Sequence, residues 1–253
     1  MPPISATIIT FNEAANIARA IRSLDCADEI LVVDSGSTDE TVKIAAGLGA
    51  RTIDHAWEGF AAQKNFAVRE ARHDWILSLD ADEELNEEAR DAIRAWKETT
   101  PGAGAFRFAR RAQYLGRWIL HSGWYPDWKI RLFHRDKARW EGDYVHESVV
   151  AEGRVETLNG EILHYTCDSL ADHRKRIEFY TDLAAREMFE RGERAGFAGR
   201  LLVPPWVFVH TYFFRLGVLD GLPGFWIACM AARYVHRKFI KLAELRSSTK
   251  GSP

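Results

Sequence analysis

The stretch EILVVDSGSTDETVKIAAGLG, Glu29 to Gly49, decides the fold. Glu29 to Asp34 is an apolar, β-branched run ending on a carboxylate, the composition of a buried strand. Ser37 to Glu40 has the Ser-x-x-Glu spacing of a capping box, which satisfies free N–H groups at a helix start, and Gly49 can close that helix in the left-handed conformation. Strand, polar turn and helix make one unit of a parallel sheet, and the neighbouring sequence repeats it. Upstream, ISATIIT (Ile4 to Thr10) reads as a strand, followed by Ala14, Ile17, Ile21 and Leu24 at helical spacing behind an Asn12 cap. Downstream come a short strand at Arg51 to Ile53, a helix through AAQKNFAVREA (Ala61 to Ala71) and a fourth strand in DWILSL (Asp74 to Leu79). This alternation predicts an α/β fold with helices on the faces of a sheet. From about residue 102 short apolar runs separated by glycines predict mixed, partly antiparallel strands, and residues 168–192 return to a charged helical pattern.

The chain has 253 residues, 47% hydrophobic and 28% charged, enough to bury a core in one large domain with an appendage. A net charge of −2 gives no electrostatic footprint for nucleic acid, so no such partner is expected. Cys26, Cys167 and Cys229 are odd in number and far apart, which suggests neither a disulfide framework nor a thiolate zinc site and fits a reducing compartment. No basic segment precedes the apolar run of the N-terminus, so a cytoplasmic body is expected. Local charge is segregated. Residues 80–91 carry seven acids against Arg90, and residues 107–139 carry nine bases against Asp127 and Asp136.

In an open α/β sheet, ligands bind beyond the carboxyl ends of the strands, where strand order reverses. Three predicted strands finish on polar clusters: TFNE (Thr10 to Glu13), DSGSTD (Asp34 to Asp39) and DADE (Asp80 to Glu83). Asp34 can cap a turn or accept hydrogen bonds from a nucleobase or ribose. No glycine-rich phosphate loop follows the first strand and no Walker-type loop exists, which argues against a dinucleotide or P-loop site. Bound phosphates would then need neutralising otherwise. Asp80 and Asp82, straight off an apolar strand, offer hard oxygen ligands suited to Mg²⁺ or Mn²⁺ completed by substrate phosphates. Glu83, Glu84, Glu87 and Glu88 read instead as acids favouring the N-terminus of a helix over Asn86 to Lys97.

IITFNE, VVDSGSTDET, QKNFAVREA and LSLDADE, in this order and spacing, resemble the donor half of a family 2 glycosyltransferase of the GT-A fold, over roughly residues 4–100. That resemblance implies a Rossmann-like mixed sheet, an inverting sugar transfer from a nucleotide-diphospho-sugar, and a divalent metal. It implies that Asp34 contacts the nucleoside, that Thr10 and Glu13 line its pocket, that Asp80 and Asp82 form the DxD pair on ribose and metal-bound diphosphate, and that Lys64 and Asn65 lie close to the donor. The base that takes the acceptor proton would be an acid some way beyond the DxD pair: Glu147 in GDYVHES, with Asp143 in reserve and His146 beside it in a structural or acceptor-binding role. His164 in ILHYT could complete a metal shell or be a structural histidine.

WYPDWKIRLFHR and GDYVHES also resemble the acceptor half of members that build lipopolysaccharide core, including the β-1,4-glucosyltransferase type. Trp124, Trp128 and Trp140 could stack on sugar rings or pack under loops, and the bases of residues 107–139 would suit an anionic glycan or lipid-linked acceptor. The expected organisation is a donor half (1–100), an acceptor and catalytic-base half (101–195) and an apolar, basic helical segment (196–253). In that last segment, uncharged runs of 14 and 12 residues are interrupted by Pro204, Pro205 and Pro223, too short for a span of roughly 20 residues. An interfacial or re-entrant segment is predicted, with Arg237, Lys238 and Lys241 on the basic side of a membrane-surface helix, at the cytoplasmic face of the inner membrane. A helical hairpin packed on the main domain fits the same pattern. Rival readings are a polyprenyl-phosphate sugar synthase, which shares the donor half, a sugar-1-phosphate nucleotidyltransferase, which needs a glycine-rich loop that TFNEAAN is not, and a non-enzymatic membrane-docking protein.

Overall fold

The computed structural model describes residues 1–142, 147–167, 169–194 and 196–250. The chain divides into two compact units, residues 1–111 with 127–165, and residues 112–126 with the chain from 166 onward. The first unit opens with the expected alternation: β1 (Ile4–Thr10), α1 (Ile17–Arg22), β2 (Glu29–Asp34), α2 (Thr41–Gly47), β3 (Arg51–Asp54), α3 (Phe60–Glu70) and β4 (Trp75–Asp80). It continues through β5 (Glu83–Leu85), α4 (Glu87–Lys97) and β6 (Ala105–Tyr114), whose last residues enter the second unit with β7 (Arg117–Trp118). The chain then returns as β8 (Asp127–His134), β9 (Ala138–Glu141), β10 (Ser148–Ala151) and β11 (Val155–Cys167).

The sheet runs β3-β2-β1-β4-β8-β6-β11-β5. Its first four strands are parallel, whereas β4 with β8, β8 with β6 and β11 with β5 pair antiparallel. It is therefore the mixed sheet the sequence predicts. Successive residues of β4 serve opposite faces: Ile76 packs with Ala67 and Val68 of α3 and with Trp140 of β9, and Leu77 packs with Ile17 and Ile21 of α1 and Ile93 of α4. Both faces are covered, which is why apolar residues predominate in β1, β2 and β4 and do not simply alternate with exposed polar ones. Each fully buried Ile, Leu or Phe contributes roughly 1.5–3 kcal/mol by leaving water.

Three local expectations are corrected. Asn12 does not cap α1, whose N-cap is Asn16; Asn12 instead accepts the Thr38 N–H at 2.8 Å and donates its own N–H to Ser37 Oγ, tying the loops after β1 and β2 together. The Ser37–Glu40 capping box does not form, because Ser37 Oγ donates to Asp34 and the helix starts only at Thr41. Glu83 and Glu84 belong to β5, not to the following helix, which Asn86 caps by accepting the Ala89 N–H at 2.9 Å. Gly49 does follow the end of α2 with a positive φ of 85°.

In the second unit α5 (Leu170–Glu190) pairs with α7 (Gly221–Lys250), and α6 (Phe197–Val209) joins them through a π-helical turn, His210–Phe214, and a 3₁₀ turn, Gly217–Asp220. Glu178 of α5 takes Arg233, Arg237 and Lys241 of α7, and Asp182 takes Lys241 as well. The hydrogen bonds from Arg237 and Lys241 hold the Glu178 carboxyl down at about 2. Arg237 and Lys241 are thus turned to α5, whereas Lys238, the third member of the expected basic face, lies over the rings of Tyr234 and Phe239 on its own helix. α6 also runs through Pro204 and Pro205, against the expectation that they interrupt it. Around the turns, buried Asp220 accepts the N–H groups of Leu120 and His121 and the Ser122 hydroxyl. Bulky apolar side chains are exposed along this elbow, among them Leu202, Trp206, Phe214, Leu219, Leu222 and Phe225. No single helix among the described residues is long and apolar enough to cross a membrane; Gly199–Phe214 and Gly217–Ser248 pass that test only together, across a 71° bend.

Candidate active site

The register of the parallel strands brings their polar ends to one edge. Thr10 lies opposite Asp34, and Ile9 opposite Asp80, so β1, flanked by β2 and β4, carries the point where strand order reverses. Thr10 is buried, and its Oγ1 has no hydrogen-bond partner among the described residues. Asp34 shapes its own loop, accepting the N–H groups of Gly36 at 3.0 Å and Ser37 at 2.7 Å. Glu13 accepts from the Asn16 side-chain amide at 2.8 Å and donates its N–H to Thr41 Oγ1. Asn65 is engaged at both ends of its amide by the backbone of Trp140, at 2.8 and 3.1 Å, so it fastens α3 to β9.

Lys64 joins the two halves of the predicted chemistry. Its ammonium is 3% exposed and lies 2.8 Å from Asp80 Oδ1 and 3.1 Å from Glu147 Oε1, with the Trp140 ring beneath it at 4.3 Å. One cation thus lies between Asp80, of the expected DxD pair, and the expected base Glu147, which is 83 residues from Lys64 along the chain. Asp143 and His146 lie outside the described residues.

On its other side Asp80 meets Arg131 of β8, whose Nη2 is 2.8 Å from Asp80 Oδ2 and 2.8 Å from both oxygens of Glu83. Burial works to raise the Asp80 carboxyl, but the attraction of Lys64 and Arg131 overrides it and holds the group far below the ordinary carboxylate range. Burial likewise works against the charged Arg131, and Glu83 and Asp80 reverse that and push it up. Sequence reading passed over Arg131 and misplaced Glu83. The available sign was Arg131 set within the apolar stretch Ile130 to Phe133 of its strand, where a buried charge needs an anion.

Asp82 faces elsewhere: its Oδ2 stands 3.2 Å from His164 Nε2, because β11 runs alongside β5 with His164 opposite Glu83. Among the described residues no three His, Cys, Asp or Glu side chains converge on one point. With Asp80 facing two cations, the side chains here that could offer donors to a metal ion are Asp82 and His164, one oxygen and one nitrogen. Such a set fits a divalent ion held mainly by substrate phosphates and water, as Mg²⁺ and Mn²⁺ commonly are.

The aromatic and basic features divide. Trp140 is buried against α3 and Trp124 packs edge-on to Tyr114, whereas Trp128 is 44% exposed with the Arg107 guanidinium 4.8 Å from its ring centre. Of the three candidate sugar platforms, Trp140 is therefore core. Most of the basic excess is neutralised internally: Arg110 by Glu83 and Asp127, Arg111 by Glu161, Lys129 by Asp127, Arg135 by Asp74 and Arg139 by Glu141. The expected basic attraction for an anionic acceptor is correspondingly reduced.

Comparison with known proteins agrees with the motifs. The model of the Glycosyl transferase family 2 matches residues 5–150. The lipopolysaccharide core biosynthesis glycosyltransferase LpsC of Rhizobium meliloti is 32% identical over 99% of this chain and 95% of its own, and an uncharacterized glycosyltransferase of Rickettsia felis is 34% identical over 98% and 91%. Among solved structures, S. aureus TarS 1-349 in complex with UDP-GlcNAc is 14% identical over 97% of this chain and 92% of that one, with a TM-score of 0.48. Glucosyl-3-phosphoglycerate synthase from Mycobacterium tuberculosis with Mn²⁺ and UDP-Glc is 22% identical over 44% of each chain, with a TM-score of 0.38.

Proposed function

The chain belongs to glycosyl transferase family 2, and from that premise we propose that it moves a sugar from a nucleotide-diphospho-sugar to a hydroxyl of a lipid-linked glycan of the lipopolysaccharide-core kind, with inversion at the anomeric carbon. The observation that carries this reading is Lys64 between Asp80 and Glu147, which sets a diphosphate-side carboxylate and a second carboxylate about one ammonium. Thr10, Glu13 and Asp34 would form the nucleoside edge, with residues 1–100 serving the donor, 101–195 the acceptor and 196–253 the membrane. Glu147 would accept the proton of the acceptor hydroxyl as its oxygen bonds to the anomeric carbon. The bond from that carbon to the phosphate oxygen breaks, and its electron pair leaves with the nucleoside diphosphate. Asp82 and His164 would hold a divalent ion, Mg²⁺ or Mn²⁺, which when bound supplies Lewis-acid stabilisation of the leaving diphosphate. Lys64 would keep Glu147 turned toward the donor side. Trp128, the exposed member of the three tryptophans, would give an acceptor sugar an apolar face.

The chain would work at the cytoplasmic face of the inner membrane, resting on it through the apolar side chains of α6, the turns after it and the start of α7. The support for that surface is the run of exposed bulky apolar side chains, which is larger than isolated surface hydrophobics require. A donor screen tests the activity: purified protein, nucleotide-sugars and lipid-linked saccharide extract, read by label transfer. Transfer that needs a divalent ion and fails in Asp82→Ala supports the reading; binding of no nucleotide-sugar, or transfer indifferent to both, rejects it.

A further inference from the structure

We propose that Arg131 and Glu83 are positioning residues that fix the turn from Asp80 to Glu83, and so present Asp82 to a divalent ion opposite His164. The inference rests on the transferase reading of this edge and adds to it the device that sets its geometry. Glu83 is the fixed point, a fully buried carboxylate. It accepts from Arg131 of β8 through both oxygens at 2.8 Å, from Arg110 of β6 at 3.0 Å and from the Asp80 N–H at the end of β4 at 3.2 Å. Three strands therefore converge on one side chain. The same Arg131 nitrogen reaches Asp80 Oδ2 at 2.8 Å, which closes the turn from the side-chain side as well. The backbone completes the frame: His164 pairs with Glu83, and the Tyr165 N–H donates to the Asp82 carbonyl at 3.0 Å. Asp82 is thus set against His164 by groups other than its own carboxylate.

Stability does not account for such a cluster. Taking Arg131 and Glu83 out of water gains little over apolar packing of the same volume, which often replaces buried ion pairs without loss. What the charges supply is direction, since a guanidinium and a carboxylate lock at fixed angles where alkyl groups slide. Partners that orient metal ligands characteristically change metal affinity while leaving the rest of a site in place.

The test is calorimetric titration of the full chain with UDP, with and without Mn²⁺, for wild type, Arg131→Lys and the double variant Arg131→Met/Glu83→Leu. The double variant removes both charges together, so neither is left buried alone. The expected result is that Mn²⁺ strengthens UDP binding in wild type and that this gain falls by about tenfold or more in the double variant, with an intermediate loss in Arg131→Lys. Metal-free UDP affinity and the unfolding midpoint should stay near the wild-type values. A folded double variant that keeps the full Mn²⁺ gain would overturn the proposal, as would equal losses with and without metal, which would mean that the guanidinium groups hold the diphosphate directly. Should the double variant not fold, Arg131→Lys decides by the same comparison. Wild type that binds UDP without any Mn²⁺ gain refutes this device alone, whereas wild type that binds neither UDP nor GDP refutes the transferase reading beneath it.

Discussion

Lys64 is the charge at which β4 and the segment before β10 meet. In QKNFAVREA it is a basic residue on a helix near a presumed donor; folded, it is a buried ammonium whose two anions come from β4 and from the segment before β10. In Glu147→Gln the ammonium keeps Asp80 at 2.8 Å, so its charge is not left buried and uncompensated. Glu147→Gln should therefore keep donor binding and lower transfer by about 100-fold or more, the usual scale of a lost general base, as measured by single-turnover transfer with donor saturating. Nearly wild-type transfer in that variant would remove Glu147 from the mechanism. His164→Ala should weaken Mn²⁺-dependent nucleotide binding by about tenfold and leave metal-free binding alone, since Asp82 would be the last protein ligand. Asn65, by contrast, was legible only as a neighbour of Lys64; its two hydrogen bonds to the Trp140 backbone make it a fastening between α3 and β9.

At the scale of elements, β11 is held to α4 by a close approach that only glycine permits. Gly160 has a φ of 88°, and a Cβ there would sit 2.1 Å from the Ala89 nitrogen, while the Glu161 N–H donates to Asn86 Oδ1 beside it. Gly160→Ala combines overpacking with a left-handed backbone and should cost about 3 kcal/mol, read as a lowered denaturation midpoint without change in the dependence on denaturant. The helical unit offers a pH test. Burial, helped by Arg176, takes His173 from its ordinary 6.5 down to about 4, and its Nδ1 pairs with the Tyr114 hydroxyl at 2.7 Å. The unfolded chain takes up this proton first as pH falls. Stability associated with the neutral ring is thus complete above about 6.5 and is lost on the way down to about 4. The melting temperature should fall across that window in wild type and fall less in His173→Gln. α5 and α7 illustrate a different correction, because a basic helical face that suggested lipid headgroups is answered by Glu178 and Asp182.

For the whole molecule, that correction changes what a membrane would recognise. The apolar elbow carries exposed Trp206, Phe214 and Leu219, while Arg237 and Lys241 are already paired. Vesicle flotation should therefore be nearly the same with zwitterionic and anionic lipid and change little with salt, because hydrophobic burial is not screened as surface charge is. A Trp206→Glu/Leu219→Glu variant should lose flotation while still binding nucleotide; strong dependence on anionic lipid would contradict the hydrophobic mode. The sequence by itself determined the strand–helix alternation, the mixed sheet, and the ends of β1, β2 and β4 at one edge, because local apolar periodicity and turn chemistry act over a few residues. It also determined the family, through motifs that lie within single strand–loop units. Which acid of residues 80–84 meets which base is set by how the strands come together in space. Arg131 pairs with Glu83 across 48 residues and Glu147 with Lys64 across 83, and buried charges find partners by position in space, to which no local pattern in the chain points.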